Sequence, residues 1–206
     1  GKSLLSEVSH AIIYDQRDSR LTPTDGYFVR LTTDLAGGFG DSRYVRNKVD
    51  AGTYYKVSEG WILSLTGGAG YMVELGKPIR ISDRFFLGGD DLRGFATAGV
   101  GPRDVVTEDA LGGEWMYAGS LQLTFPLGLP SELGITGRMF TDFGSAGQLD
   151  APGFVFADTG SLRASVGAGI SWLSPFGAIG VDLGFPFLKE DFDEEEVIRI
   201  NFGTRF

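Results

Sequence analysis

The sequence predicts an all-β fold, an antiparallel transmembrane β-barrel, and three observations carry that prediction. Bulky apolar residues recur at every second position through much of the chain, the period of a strand with two unlike faces. Glycine supplies 32 of the 206 residues, roughly twice its average share of about 7%, and phenylalanine is abundant beside it. The connections between alternating segments are of two kinds, one set short and the other longer or more polar, as at the two rims of a membrane barrel.

Taken in chain order, segments at about 7–16, 26–36, 43–57 and 61–74 follow the alternation loosely. It is cleaner afterwards. Trp115, Tyr117, Gly119, Leu121, Leu123 and Phe125 oppose Met116, Ala118, Ser120, Gln122 and Thr124. Leu133, Ile135, Gly137, Met139 and Phe143 oppose Gly134, Thr136, Arg138, Phe140 and Asp142. Leu162, Ala164, Val166, Ala168, Ile170 and Trp172 oppose Arg163, Ser165, Gly167, Gly169 and Ser171. Ile179, Val181, Leu183, Phe185 and Phe187 oppose Gly180, Asp182 and Gly184, and the last segment sets Ile198, Ile200, Phe202 and Phe206 against Arg199, Asn201, Gly203 and Arg205. The uncharged run 164–181 approaches the roughly 20 residues of a membrane helix. Its glycines, Pro175 and period of two instead make it two strands around a turn at 173–177. The total is about nine strands, most near the length a tilted strand needs to cross a bilayer.

The second face separates a membrane barrel from a soluble sandwich. A water-facing sheet surface is rich in Lys, Glu and Thr, whereas here that face is mostly Gly, Ser and Ala with a few charges, as suits a barrel interior. The apolar face carries aromatics near strand ends, Trp61, Tyr71, Trp115, Phe125, Phe143, Trp172, Phe187 and Phe206, as interfacial girdles do. Long connections at 37–43, 75–113, 144–160 and 188–196 place one rim outside the cell, and Phe206 then ends at the periplasmic rim.

A net charge of −9 excludes nucleic acid, which needs a basic face. The absence of cysteine excludes a disulfide scaffold or zinc–thiolate site, and a single histidine, His10, leaves no histidine cluster for a metal. His10 reads as a strand residue without a catalytic task. No leader-like segment opens the chain. No nucleophile, base and orienter occur together, neither GxSxG nor HExxH is found, and the glycine-containing loop at Gly147, Gln148 and Leu149 lacks a phosphate-binding context. The expectation is no enzyme, no cofactor and no metal. Asp15, Arg17 and Asp18 read as structural pairs beside a turn. The run Asp191, Asp193, Glu194, Glu195 and Glu196 reads as a solvated acidic loop, with divalent-cation binding near lipopolysaccharide phosphates as the lesser option.

Residues 85–103, FFLGGDDLRGFATAGVGPR, hold one arginine between glycines and aromatics inside a connection spanning about 75–113. Loops so long within a compact domain are usually functional or disordered, and this one is too aromatic for disorder. Its core, Gly88-Gly89-Asp90-Asp91-Leu92-Arg93-Gly94-Phe95, resembles the (V/I/L)-R-G-(F/Y) motif in the sixth extracellular loop of the BamA family of outer-membrane protein insertases. Tyr14-Asp15-Gln16-Arg17-Asp18 followed by Pro23 and Gly26, Phe125-Pro126-Leu127-Gly128-Leu129-Pro130, and Phe140-Thr141-Asp142-Phe143-Gly144 agree with it, as does the aromatic-ended last strand.

The resemblance implies a sixteen-stranded barrel preceded by periplasmic POTRA domains. It makes residues 1–206 the C-terminal part of that barrel, the eighth to sixteenth strands, with no POTRA segment present. It implies a bacterial outer-membrane location, and as partners outer-membrane lipids and, for the full-length protein, nascent outer-membrane proteins and assembly-complex lipoproteins. In the family the loop folds into the lumen and its arginine meets acids on the wall. Here Arg93 would pair with Asp142, Gln122 stands where a second acid is expected, and Glu114 and Asp182 are the other acidic partners within reach. Gly88, Gly89 and Gly94 would supply positive φ or close approach, Leu92 and Phe95 would complete the motif, and Phe95 would pack on the wall. Ile198, Ile200, Phe202, Gly203 and Phe206 form the terminal strand, whose edge would be offered to a client. An odd strand count forbids simple antiparallel closure, so the sheet stays open, its ends meet in parallel, one of the strands is not a strand, or two copies combine as a homo-oligomer. The rival readings are a two-partner secretion transporter with the same barrel and a soluble β-barrel binding domain.

Overall fold

The computed structural model describes residues 4–37, 39, 42–77, 79–148, 156–174 and 177–202. Nine strands form one antiparallel sheet: β1 (Glu7–Asp15), β2 (Gly26–Ala36), β3 (Tyr44–Ser58), β4 (Trp61–Glu74), β5 (Trp115–Pro126), β6 (Ile135–Gly147), β7 (Arg163–Ser174), β8 (Gly177–Leu188) and β9 (Ile198–Phe202). Among the described residues each pairs only with its neighbours in sequence, in the order β1 to β9. Four strands precede the long loop and five follow it. Among the described residues β1 and β9 do not meet, so of the ways an odd-numbered sheet could be arranged this one remains open. Gly203 and Phe206, expected in the last strand, lie outside the described residues.

The alternation decides which way each side chain faces. Val166, Ile170, Phe185 and Ile200 point outward and stay about half exposed, between 48% and 58%, so they form no water-surrounded core. Aromatics lie on this face at both rims, with Trp61 stacked on Phe125 near one and Trp115 on Tyr117 near the other. His10 is also on this face, opposite Thr33. No helix among the described residues is long and apolar enough to cross a membrane; the crossing elements are strands.

Turn chemistry sets the ends. Leu133 and Gly134, expected within β6, instead close a single 3-10 turn, Ser131–Leu133, in which Gly134 adopts a φ of 63° and its N–H donates to the Ser131 carbonyl. Glycine takes that left-handed geometry without the steric cost of a Cβ. At the 16–25 turn, Arg17 grips Asp15 with two hydrogen bonds of 2.9 and 2.8 Å and lies over the Phe28 ring.

Register determines what shares the inner wall. Thr124, Arg138, Gly169, Asp182 and Arg199 form one row across β5 to β9. Gln122, Phe140, Gly167 and Gly184 form the next, and Ser120, Asp142 and Ser165 another. Loop 75–114 lies against this wall. Leu87, Leu92 and Phe95 of the loop are fully buried in a cluster with Tyr44, Met72 and Met116 of the strands. Each such side chain contributes about 1.5–3 kcal/mol by leaving water, which favours the loop's seat inside the sheet over a solvated position.

Candidate functional site

The motif reaches the wall because glycines let two backbones touch. Gly88, Gly89 and Gly94 have φ of 130°, 66° and 95°, where a side chain would be strained. Gly94 lies on Gly184 of β8, so closely that a Cβ at 184 would stand 2.6 Å from the Gly94 nitrogen. Phe85 rests in the same way on Gly70 of β4. The small residues of the inner face are therefore the floor on which the loop lies.

From that floor Arg93 extends across β6. Its Nε and Nη2 donate to the two oxygens of Asp142 at 2.7 and 2.8 Å, and its backbone N–H adds a third bond to Asp142 at 3.1 Å. Nη1 donates to Gln122 Oε1 and Nη2 to Ser120 Oγ, both at 2.9 Å, while the Ser165 hydroxyl donates to the Arg93 carbonyl. The guanidinium lies 3.4 Å from the centroid of the Phe140 ring. Asp142 is completely buried and Arg93 is 7% exposed. A buried guanidinium is tolerated only when its charge is matched and its N–H groups are used, and the planar fork on a carboxylate does both. Gln122 supplies an acceptor at the place where the second acid was expected, without a charge.

Asp182 is held mainly by another cation. Arg138 of β6 grips it at 2.7 and 2.8 Å, Asn201 of β9 donates to it at 3.0 Å, and Arg93 Nη1 lies 4.0 Å away. Two arginines and two aspartates thus form one balanced inner network joining the loop to β5, β6, β8 and β9. Glu114 is buried at the rim, where its backbone bridges Met72 to Gly147 and Gln148; Arg93 makes no hydrogen bond to it. Ile198, Ile200 and Phe202 face outward on β9 and are well exposed.

Arg138, Phe140, Ser120, Ser165 and Asn201 were not singled out from the sequence. The signal for them was present, because the alternation assigns all five to the inner face. Within the acidic run Asp191, Glu194 and Glu195 are exposed, as a solvated loop would have them, but two of the five acids are engaged by arginines from elsewhere in the fold. Asp193 is buried against Arg163 at 2.9 and 3.1 Å, and Glu194 accepts from Arg103 at 2.8 Å. Among the described residues no cluster of acids or histidine is disposed to hold a metal ion. Within the loop, the backbone N–H groups of Thr107 and Val106 hold the Asp104 carboxyl below the usual carboxylate range.

The profile of the Omp85 superfamily domain matches residues 1–206. The chain is 34% identical over its full length to the outer membrane protein assembly factor BamA of Neorickettsia risticii, of which it spans 28%. It is also 34% identical, over 68% of its length, to the human sorting and assembly machinery component 50 homolog, of which it spans 30%. The crystal structure of Haemophilus ducreyi BamA lacking POTRA domains 1–3 superposes with a TM-score of 0.83 at 24% identity, covering 94% of this chain and 41% of that one; this likeness shows the fold. With the open antiparallel sheet, its apolar outer face and its inward loop, the match over the entire chain places the protein in the Omp85 superfamily.

Proposed function

We propose that the chain is the C-terminal barrel portion of an outer-membrane protein assembly factor, and that its part in assembly is mechanical. It sits in the bacterial outer membrane with its apolar face against lipid. The inward loop braces the C-terminal strands, and β9, whose second edge is unpaired among the described residues, offers that edge for strand addition by an incoming client. Nascent outer-membrane proteins and assembly lipoproteins would be partners of the full-length protein, in which POTRA domains would precede this segment. No enzymatic step is needed, because strand exchange replaces hydrogen bonds one for one.

The single observation that carries this reading is the Arg93 fork on Asp142. It spends a buried charge pair on holding a loop inside a barrel, where a solvated loop would need none. The relatives' assembly function points in the same direction.

The test uses the full-length protein in proteoliposomes with a urea-unfolded client barrel, reading the client's gain of heat-resistant gel mobility. Wild type should accelerate insertion over empty liposomes, and Arg93→Ala should lose most of that acceleration. No acceleration by wild type would overturn the assembly function. An Arg93→Ala protein equal to wild type would overturn the brace.

A further inference from the structure

The connection between β8 and β9 is the partner strand of the motif. Glu195 and Glu196 pair antiparallel with Phe95 and Gly94. The ladder continues where the Ala96 N–H donates to the Glu194 carbonyl at 2.9 Å and the Glu194 N–H to the Gly99 carbonyl at 3.0 Å. A Cβ at Gly99 would stand 2.6 Å from that Glu194 carbonyl, so the backbones meet with no room to spare. Asp193 anchors the segment by accepting from its own turn at the Glu190 N–H and from Arg163.

One residue beyond Glu196 and Val197 the last strand begins, and its first inward side chain returns to the motif. Arg199 Nε donates to Asp90 Oδ1 at 2.6 Å, Nη2 to Thr97 Oγ1 at 2.9 Å and Nη1 to Glu196 Oε2 at 2.5 Å. Gly89 leaves the space for it: a Cβ there would stand 2.5 Å from Arg199 Nη2. Asp90, Thr97 and Gly89 all belong to the motif loop. Beside these contacts, β9 pairs with β8 over Ile198–Phe202 among the described residues, and the Gly184 N–H donates to the Val197 carbonyl at 2.9 Å. As an edge strand, β9 has no backbone partner on its other side among the described residues.

We propose that Arg199 is a positioning residue that latches the last strand to the inward loop, so that the loop's seat in the lumen determines whether the outer end of β9 is held or free. This rests on the reading of β9 as the edge offered to a client, and adds to it the contact that controls the edge. The Arg93 brace joins the loop to β5 and β6; the Arg199 latch joins the same loop to β9. Withdrawal of the loop would release the 194–196 ladder and the Arg199 fork together, freeing the strand without breaking the β6–β7 or β7–β8 pairings. The acidic run is then half of a clasp.

The test is amide hydrogen exchange of the full-length protein in detergent or nanodiscs, resolved by segment. Arg199→Ala should raise exchange of residues 194–202 at least about tenfold while β6 exchanges as in wild type. Arg199→Lys should fall between, because an ammonium can reach Asp90 but cannot also span Thr97 and Glu196. Pairing Arg199→Asp with Asp90→Arg should restore much of the protection. Unchanged exchange at 194–202 in Arg199→Ala would overturn the latch, as would an equal rise in every strand. Should Arg199→Ala fail to fold, Asp90→Ala and Thr97→Val, each removing one acceptor from the loop side, read the same segment under the same criteria. Failure here leaves the insertion result of Arg93→Ala untouched, so the latch and the assembly reading fail separately.

Discussion

Arg138 and Asp182 form their ion pair over the top of Gly169. The two residues sit on strands that do not touch, β6 and β8, with β7 between them, and Gly169 is the cross-strand partner of both. Their side chains meet at 2.7 and 2.8 Å because nothing rises from the strand between. A Cβ at that position would stand 2.0 Å from Asp182 Oδ1 and 2.6 Å from the Val181 carbonyl. Gly169→Ala is therefore expected to destabilise the barrel by about 1–3 kcal/mol, the range for forcing extra atoms into a filled interior. Urea unfolding in detergent, followed by tryptophan fluorescence, would measure it. A midpoint equal to wild type would show that the pair is dispensable.

The Arg93 fork yields a prediction that separates charge from shape. Asp142 accepts three hydrogen bonds, all from Arg93. Removing one member of a buried pair typically costs about 3–5 kcal/mol, because the other is left charged and dry. Arg93→Ala should fall in that range. Arg93→Lys should recover only part of the loss, since an ammonium keeps the charge but not the planar fork, nor the contacts with Gln122 and Ser120. The temperature at which the folded gel band disappears would rank wild type above Lys and Lys above Ala. A lysine variant equal to wild type would make the interaction a matter of charge alone.

How much of this was legible beforehand follows from what alternation can carry. A period of two assigns each residue to a face, and Arg138, Phe140, Asp142 and Asp182 were placed inward without knowledge of their neighbours. It does not say which residue of β6 stands beside which residue of β8. That depends on the turns at 126–134 and 173–177, and the first holds a 3-10 turn that displaced the expected start of β6 by two residues. Hence Asp182 could be named as a partner within reach of Arg93 while its own arginine was overlooked. The acidic segment was unreadable for a different reason. Its partners Gly94, Phe95, Gly99 and Arg103 lie 91 to 102 residues earlier, and charge density alone looks the same in a clasp and in a solvated loop.

Outside the membrane-spanning strands, Asp18 gives a prediction in pH. The Thr24 hydroxyl, then the backbone N–H groups of Thr24 and Asp25, hold its carboxyl down to about 2. Its ordinary value is roughly 3.9. A folded-state pKa below the unfolded one contributes stability that is complete above the unfolded value and is lost as pH falls through the folded one. The 16–25 turn should therefore stay intact at pH 5 and loosen between roughly pH 4 and 2. Carbon-13 NMR of the Asp18 carboxyl in micelles should titrate with a midpoint near 2 in the folded protein. Asp18→Asn should remove the pH dependence of the turn's amide exchange in that window. A midpoint at the ordinary aspartate value would show that the turn does not depend on the anion.

The last prediction concerns the place where the loop backbone lies on the wall. Gly184 is an inward position of β8 whose missing side chain makes room for Arg93 and Gly94 of the motif, and a Cβ there would be 2.6 Å from the Gly94 nitrogen and 3.0 Å from the Arg93 carbonyl carbon. Neither neighbour is a flexible side-chain tip that can swing aside; both are backbone atoms, the Arg93 carbonyl accepting from the Ser165 hydroxyl and Gly94 paired in register with Glu196. Gly184→Ala must therefore either lift the motif off the sheet or bend β8 away from it. Lifting the motif by an ångström lengthens the Arg93 hydrogen bonds beyond useful range, so the variant should behave as a partial Arg93→Ala, losing about 1–3 kcal/mol although no charged group has been touched. Combining Gly184→Ala with Arg93→Ala is the decisive measurement. If the glycine acts by seating the arginine, the double variant should be scarcely less stable than Arg93→Ala alone. Full additivity of the two losses would mean that Gly184 serves the β8 strand itself and not the loop.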